Sequence, residues 1–429
     1  MNLIKQPDHS HPWISIIGKM VTKESTGDNQ ECLGHFLNLG LPTSKDERWR
    51  AGNPTKFLSG YSPLPLTSQL SVETLVADIT NISPYYLILQ DGQILAQAPQ
   101  LKDILKIGSS SDSADHADNQ QALDWLNQAL APAQISITLE TKQKLAFPLV
   151  IYHHASIQNE SNQSLPGSTY SRLHFEALAD SSMHVLEVFS SEMEIAYHRN
   201  ARTFFNLHNN SHVTYTRVQN DSLQACHYGK VIAKVSAHAF FKSFSYNFGA
   251  ALSRLELDLS MRQEGAQVWA HGLFPIAGDQ QSDTFSEIFH LAPHTTSHQL
   301  FKGMATDKSH GIFTGNISIA PKAQKVEASQ LSQNLLLSKL AHIDTRPRLM
   351  VAADDVKCGH GATIGQLGEE ELFYLESRGL SKERALQLLQ SAFCQQVIDQ
   401  MEDKNIMQYL LQLLAKKTLE FKSSGVKHD

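Results

Sequence analysis

Alternation of apolar and polar residues dominates the chain from about residue 135 to residue 351. In Arg254–Leu259 every second residue is leucine, so a strand there would bury one face. Helical periodicity is missing between such segments, which argues against β-α-β units. The pattern predicts a mainly β protein, either a sandwich, a barrel or a solenoid, and its length favours the solenoid. The predicted strands, spaced by roughly 10 to 16 residues, are ISITLE, LAFPLVIYHH, SRLHFEAL, MHVLEVF, HVTYTRV, AHAFFKSFSYNF, SRLELDLSM, AQVWAHGLF, HQLFKGMA, GIFTGNISI, KVEASQL and RLMVAADDV.

The region before this β pattern is mixed. Residues 11–60 predict short helices and loops. The segments LVADIT and YYLILQDGQILAQ have a β-type composition, and Asp91-Gly92 between two apolar runs indicates a hairpin turn. ALDWLNQALA predicts a helix just before the long β region. We therefore assign residues 1–130 to an N-terminal mixed helical and β region.

Helical signals replace the β pattern near the C-terminus. Glu369–Glu371 suit the positive end of a helix, Gly379 is placed to end that helix, and Ser381 can cap the next one. These signals predict a β region over residues 131–365 and a helical domain over residues 366–429. So short a domain cannot bury its apolar faces by itself, and we expect it to dock on another surface. The apolar residues at helical spacing include Leu386, Leu389, Phe393, Leu410 and Leu414.

Composition narrows the functional classes. Charged residues make up 18% of the chain and the net charge is −7, so a basic footprint for nucleic acid or for a membrane surface is absent. The sequence has no apolar run of signal-peptide or transmembrane length. We expect a cytoplasmic protein that binds neither nucleic acid nor membrane. The cysteines lack a disulfide-like spacing, which suits reduced thiols; they are Cys32, Cys226, Cys358 and Cys394.

Cys358 and His360 are the first candidates for chemistry. In extended backbone, residues two positions apart project to the same face, so this thiolate and imidazole can approach one metal ion or one substrate. We expect Lys357 and His360 to lower the pKa of the Cys358 thiol. Two ligands do not complete an iron or zinc site, and no C-x-x-C or H-E-x-x-H motif supplies more. Either the pair is not a metal site, or another chain completes it.

Three glycines, Gly359, Gly361 and Gly365, surround this pair. Their spacing superficially resembles a dinucleotide-binding turn, but no β-α-β pattern surrounds them. We interpret them as tight turns at the end of the β region. The chain also lacks a P-loop motif, which excludes ATP binding in that manner, and a G-x-S-x-G motif, which removes the commonest hydrolase class.

Two parts of the chain resemble a known protein family. The runs QLSQNLLLSKLAHIDTRPRL, DDVKCGHGATIGQL and EEELFYLESRGL are similar to the C-terminal signature of the SufB/SufD family of iron–sulfur cluster assembly proteins. The segment GLPTSKDERWR resembles that family's N-terminal segment, so the resemblance covers most of the chain. Gly359 departs from the family, in which serine is frequent at this position. The resemblance implies a right-handed parallel β-helix between an N-terminal mixed α/β region and a C-terminal helical domain.

The resemblance also implies a role and partners. The chain would be a non-catalytic scaffold subunit that pairs with a SufB-like chain, or with itself when isolated, and with a SufC-like ABC ATPase. Cys358 and His360 would hold iron or a transient iron–sulfur cluster together with the SufB-like chain, without direct nucleotide binding. The strand that ends near Val351 would pair with that chain, and the five apolar residues of the C-terminal helices would dock the ATPase.

Two other functional classes stay open on the residues alone. A β-helix carbohydrate-active enzyme would need paired carboxylates along one face of the solenoid. Scattered acids such as Glu187 and Asp258 do not show that arrangement. A purely structural solenoid would leave Cys358 replaceable.

Overall fold

The strands of this chain form two long sheets that wind together. The computed structural model describes residues 10–21, 28–50, 52, 54, 58–64, 72–110, 121–155, 165–192 and 194–424. The strands are β1 (Tyr85–Gln90), β2 (Gln93–Gln97), β3 (Lys106–Ser110), β4 (Gln134–Leu139), β5 (Leu149–Ala155), β6 (Ser168–Ala177), β7 (Ser182–Ser191), β8 (His198–Leu207), β9 (His212–Asn220), β10 (Cys226–Val235), β11 (Phe240–Asn247), β12 (Leu252–Met261), β13 (Gln267–Ile276), β14 (Gln281–His290), β15 (Thr296–Ala305), β16 (His310–Ile319), β17 (Val326–Leu336), β18 (His342–Val351) and β19 (Val356–Gly365).

Successive strands from β4 onward alternate between the two sheets. One sheet has ten strands in the order β19-β17-β15-β13-β11-β9-β7-β5-β1-β2, and the other has nine in the order β18-β16-β14-β12-β10-β8-β6-β4-β3. Between β4 and β19 the neighbouring strands within each sheet are parallel. The chain is therefore a parallel β-helix, which confirms the predicted fold class and decides for the solenoid over the sandwich.

The helices lie at the two ends of the sequence. The structure has α1 (Pro12–Val21), α2 (Asp28–Leu39), α3 (Val72–Thr80), α4 (Leu101–Ile104), α5 (Ala122–Leu130), α6 (Glu369–Ser377), α7 (Lys382–Ile398) and α8 (Lys404–Ser424), and Glu47–Trp49 forms a 3₁₀ turn. Ser381 caps α7 by accepting a hydrogen bond from the Arg384 N–H at 3.3 Å. Gly379, with φ +91°, follows the end of α6, as predicted. No helix among the described residues is long and apolar enough to cross a membrane.

One helix contradicts the predicted secondary structure. The segment LVADIT, interpreted as β-type, lies in α3. Val72, Leu75, Val76 and Ile79 are spaced at i, i+3, i+4 and i+7, and all four pack in one apolar cluster. This helical period outweighs the β propensity of the individual residues.

The alternation of apolar and polar residues did not predict strands β8, β10 and β14. Their residues are buried on both faces, because N-terminal elements cover the outer surface of the nine-stranded sheet. A strand buried on both faces has no regular apolar and polar alternation. Arg202 and Lys230, for example, are buried in β8 and β10 at 2% and 1% exposure.

The predicted hairpin is present and extends the ten-stranded sheet. Asp91 and Gly92, with φ of 49° and 80°, connect β1 to the antiparallel β2, as a turn of type I′ requires. Strand β1 pairs in parallel with β5, and β3 pairs with β4 in antiparallel orientation. Both sheets of the β-helix therefore begin within the first 130 residues.

Apolar side chains from both sheets meet inside the β-helix. Alternate residues of β12, Leu255, Leu257 and Leu259, join this interior cluster from one sheet, and Val268 and Ala270 of β13 join it from the other. Because each turn covers the next, these side chains have at most 1% exposure. Their burial from water is the main favourable term for the fold.

The N-terminal elements cover the outer face of the nine-stranded sheet. Trp13 and Phe36 are fully buried there against Tyr170 and Tyr228. The guanidinium of Arg48, beside Trp49 in the 3₁₀ turn, forms ion pairs with carboxylates on β12 and β14, including Asp258 at 3.3 Å. The N-terminal region is thus held to this face by both apolar and charged contacts.

The C-terminal helices cover the outer face of the ten-stranded sheet. Cys394 and Val397 of α7 are fully buried in a cluster with Leu273 and Met304 of the sheet. The Lys302 ammonium, from β15, donates a hydrogen bond of 3.2 Å to the Phe393 carbonyl. The helical domain therefore docks on the β-helix of its own chain. This agrees with the expectation that so short a domain cannot bury its apolar faces by itself.

Candidate functional site

Cys358 and His360 lie on β19, the last strand of the β-helix. In the parallel ladder with β17, Cys358 stands beside Ala328 and His360 beside Gln330. Ala328 and Gln330 point to the interior and are 5% and 2% exposed. Neighbours in register project to the same side of a sheet, so Cys358 and His360 both face the interior side of the last turn. The predicted common face is confirmed.

The absence of a further turn exposes this interior side. Cys358 packs against the interior apolar cluster and is partly buried. His360, two residues further along, is exposed, and its ring has no hydrogen-bond partner among the described residues. The pair is therefore reachable from the open end of the β-helix.

The glycines around the pair do not form turns. Gly359, Gly361 and Gly365 lie within β19, and none has a positive φ, so the predicted turns are wrong. Nothing lies within 4 Å of a Cβ placed on Gly359 or Gly365, and on Gly361 only Leu331 does, at 3.3 Å. These glycines therefore belong to the extended backbone of β19.

The expected activation of the Cys358 thiol is also wrong. Burial raises the pKa of Cys358, and a hydrogen bond with the Ala328 backbone only partly opposes this effect. Lys357 projects to the opposite face of β19, where its ammonium lies 3.2 Å from the Glu327 carboxylate. Its charge is directed away from the sulfur and is neutralised. The thiol is thus protonated at neutral pH until a metal ion or a cationic group displaces the proton.

The ligand set of this pair is incomplete within the chain. Among the described residues, no histidine, cysteine or carboxylate joins Cys358 and His360 in a group of three close metal-ligating atoms. A four-coordinate ion would need two further ligands. Cys358 and His360 therefore offer two potential ligand atoms at the open end of the β-helix.

The neighbouring sheet also ends in an unpaired strand at this end. Within the part of the chain that the structure describes, strand β18 pairs only with β16. The N–H groups of His342 and Ala352 donate to the carbonyl oxygens of Ser309 and Ile319 at 3.0 and 3.1 Å. Backbone groups alternate between the two sides of a strand, so those of the odd-numbered residues point to the free edge. Proline is tolerated at such positions, and Pro347 occupies one of them.

The last residue of that strand is exposed although it faces inward. Val351 stands beside the interior residue Ile319, yet it is 46% exposed because no further turn covers it. Ile364 of β19, the neighbour of Asn334, is 47% exposed for the same reason. The open end therefore combines apolar side chains, unpaired backbone groups and the Cys358–His360 pair.

Comparison with known proteins identifies the family. Residues 156–393, which include most of the β-helix and the whole of β19, match the family model of the SufBD core domain of SUF-system FeS cluster assembly. The chain belongs to the SufB/SufD family. The iron–sulfur cluster assembly protein SufD of Escherichia coli (strain K12) is 27% identical over 390 residues, which cover 89% of this chain and 90% of that protein.

Two further relatives extend the comparison. The chloroplastic protein ABCI7 of Arabidopsis thaliana is 25% identical over 86% of this chain and 81% of its own length. A SufBD family iron–sulfur cluster assembly protein of Synechocystis is 35% identical over 52% of this chain and 49% of its own length. These matches confirm the family resemblance found in the sequence.

The five apolar helix residues of this SufB/SufD family member do not form one free surface. Leu410 and Leu414 are buried at 0% and 3% exposure, in the cluster between the helices and the ten-stranded sheet. Phe393 packs at the margin of that cluster. Leu386 and Leu389 are partly exposed. The premise that the helices leave all five residues for a partner is wrong, because the β-helix itself covers part of their apolar face.

Glu187, one of the acids considered for a carbohydrate-active enzyme, does not line a cleft. Glu187 is fully buried inside the β-helix, where it accepts hydrogen bonds from Tyr215 at 2.6 Å and Thr203 at 2.9 Å and lies 2.8 Å from the His153 imidazole. Burial acts to raise the pKa of Glu187, but these hydrogen bonds outweigh it and the net pKa lies below the usual range. This carboxylate orders the interior and is inaccessible to a sugar.

One group of potential metal ligands was missed by sequence reasoning. His310, His342 and Asp344 place donor atoms within 4.8 Å of one another on the outer face of the nine-stranded sheet. The spacing of His342 and Asp344 is the same i, i+2 signal that drew attention to Cys358 and His360. His310 is separated from them by a full turn of the β-helix, so only the strand register brings it close.

Proposed function

We propose that this chain is a non-catalytic scaffold subunit of a SUF-type iron–sulfur cluster assembly complex. It pairs with a SufB-like chain and works with a SufC-like ABC ATPase, which supplies the energy input that a chain without a P-loop motif does not. Such a complex operates in the cytoplasm. Family membership supports the pathway, and the open end of the β-helix, from which Cys358 and His360 are reachable, is the observation that supports the scaffold role.

The SufB-like chain would cover the open end. Free backbone groups along β18 can add a strand from a partner, and the exposed Val351 and Ile364 would bury apolar area in the same contact. An isolated chain could use the same edge to form a homodimer. Natural proteins rarely leave long strand edges without cover, which favours a partner at this position.

Iron, or a transient iron–sulfur cluster, is the cargo that this interface would hold. Cys358 offers a sulfur ligand and His360 an imidazole nitrogen, both suited to iron. The partner chain would supply the remaining ligands. Because burial raises the pKa of the Cys358 thiol, cargo binding would release a proton from it.

The ATPase would dock on the outward side of the C-terminal helices. Leu386 and Leu389 remain partly exposed on α7. Phe373 and Tyr374 of α6 are 71% and 57% exposed, and aromatic side chains are enriched in protein interfaces. This surface lies on the helical domain, whereas the proposed cargo site lies on β19.

Anaerobic reconstitution of the co-expressed complex tests the proposal. The complex with this chain, the complex without it, and a complex with a Cys358→Ala/His360→Ala chain are supplied with iron and sulfide. We expect cluster formation, measured as iron and acid-labile sulfide per complex, only in the first. Cys394→Ala, which replaces a buried cysteine away from the open end, is the matched control. Normal cluster content with the double variant would contradict the site, and normal content without the chain would contradict the scaffold role.

A further inference from the structure

Two imidazoles and a carboxylate converge on the outer face of the nine-stranded sheet. His310 begins β16 and His342 begins β18, and the two residues are direct neighbours in the parallel ladder. Asp344 lies two residues after His342, so its side chain projects to the same face. The ring centroids of the two histidines are 5.2 Å apart.

The separations between the donor atoms suit a single small ion. The His310 Nε2 lies 2.9 Å from Asp344 Oδ2, and the His342 Nε2 lies 3.6 Å from Asp344 Oδ1. Ligand atoms around a tetrahedral ion with bonds of about 2.1 Å are roughly 3.4 Å apart. All three donors lie within 4.8 Å of one another, so small side-chain rotations bring them to coordination distance. The His342 side chain is 65% exposed, which leaves it room to rotate.

We propose that His310, His342 and Asp344 bind a divalent transition-metal ion, Zn²⁺ or Fe²⁺, at a site separate from Cys358 and His360. Two histidines and one carboxylate form a set that both ions accept, with open positions left for water or a further ligand. The ligand set contains no sulfur, so the site would hold a single hydrated ion rather than an iron–sulfur cluster. The proposal does not depend on the scaffold function.

The surroundings of the site fix two of its ligands and leave an entrance. The side chains of His310 and Asp344 are 33% and 31% exposed, and the ladder between β16 and β18 holds their backbones in register. Arg346 follows on the same strand face and is the nearby cationic group that works against metal binding.

The competing interpretation is an ordinary ion pair between His310 and Asp344. An ion pair needs neither His342 nor a metal ion, whereas a three-ligand site needs His342. His342→Ala therefore distinguishes the two, because it leaves the His310–Asp344 pair in place. His294→Ala is the matched control, since His294 is also an exposed histidine near a carboxylate, 3.9 Å from Glu264, but does not belong to a group of three close metal-ligating side chains among the described residues.

Equilibrium dialysis of the full-length metal-free chain tests the proposal. Zn²⁺ is used in one arm and Fe²⁺ under anaerobic conditions in the other, with all chains carrying Cys358→Ala and His360→Ala to remove the other pair. We expect one ion per chain, tighter for Zn²⁺ than for Fe²⁺. His342→Ala and Asp344→Asn should each weaken binding by at least about tenfold, because loss of even a supporting contact of a metal ligand costs that much.

The controls show whether a loss of metal binding comes from the site itself or from a change in the fold. His294→Ala should bind the ion as the parent does, and circular dichroism should show the same fold for all variants. Bound ion should raise the melting temperature of the parent but not of His342→Ala. Stoichiometry below one ion per chain, or equal affinity for the parent and His342→Ala, would overturn the proposal and leave the ion pair as the explanation.

Discussion

The two ends of the β-helix are built differently. At the N-terminal end both sheets finish with short antiparallel strands, β2 and β3, of five residues each. At the C-terminal end they finish with β18 and β19, which are parallel strands of ten residues each. Short edge strands are one way in which proteins avoid edge-to-edge association. The difference indicates that one end is protected against strand addition and that the other is suited to it.

Side-chain exposure follows the same division. Within the middle turns the inward residues of one turn are covered by the next, as Leu257 and Ile288 are at 0% exposure. On the last turn the inward residues Val351 and Ile364 remain about half exposed. Apolar side chains of a kind that is usually buried are thus exposed at the end where Cys358 and His360 lie. Their exposure is the main structural support for an interface at that end.

The largest effect should come from a proline at the open edge. Val351→Pro removes an N–H that points to the free edge, so we expect loss of the heterodimer with a SufB-like chain and an unchanged melting temperature of the isolated chain. Met350→Pro, one residue earlier, removes an N–H directed at β16 and should cost about 1 to 3 kcal/mol of stability. Co-purification and thermal denaturation measure the two effects. An undiminished heterodimer with Val351→Pro would mean that this edge is not the interface.

The second effect concerns the chemistry at that end. His360→Ala and Cys358→Ala should each lower the iron and sulfide content of the complex while the heterodimer yield stays normal, because neither side chain contributes much to the core. We expect His360→Ala to be the more severe if the partner carries the sulfur ligand. Metal analysis and size-exclusion chromatography are run in parallel. Loss of the heterodimer together with the cluster would assign the pair a structural role instead.

A third prediction concerns the C-terminal helical domain rather than either end of the β-helix. Leu386→Asp/Leu389→Asp changes partly exposed residues of α7 and should weaken capture of the ATPase by at least about tenfold, since a buried charge at an interface is costly. Leu414→Ala alters a buried contact with the β-helix and should instead destabilise the chain by about 2 to 5 kcal/mol. Pull-down and chemical denaturation measure both. Full ATPase capture by the double variant would place the docking surface elsewhere.

The smallest effect concerns a histidine that the middle turns cover. Burial lowers the pKa of His290 to about 4, whereas the unfolded chain has a value near 6.5. The unfolded state therefore binds a proton first, and stability falls as the pH drops from about 6.5 towards 4. For this single group the loss at pH 5 is on the order of 2 kcal/mol. His290→Gln should reduce the difference in unfolding free energy between pH 7 and pH 5 by that amount, and an unchanged difference would contradict the role of burial.

Local sequence signals predicted much of the architecture. Asp91-Gly92, Gly379 and Ser381 have the predicted roles because turns and caps depend on neighbouring residues alone. Cys32 and Cys226 are buried, which is the usual environment of a free cysteine that packs as a small apolar side chain. Alternation found most strands but missed those such as β8, where the burial of both faces removes the pattern.

The sequence by itself determined the β character of the chain, the i, i+2 placement of Cys358 and His360, and the family. Tertiary structure decided which way that pair faces, because a strand pattern defines two sides but not which one is inside. It also decided that burial opposes ionisation of the Cys358 thiol and that Lys357 points away from it. His310 meets His342 and Asp344 only through the register of β16 and β18. A contact between residues one turn apart in a β-helix depends on the length of every loop between its strands. Local periodicity in the sequence does not specify the total of these lengths.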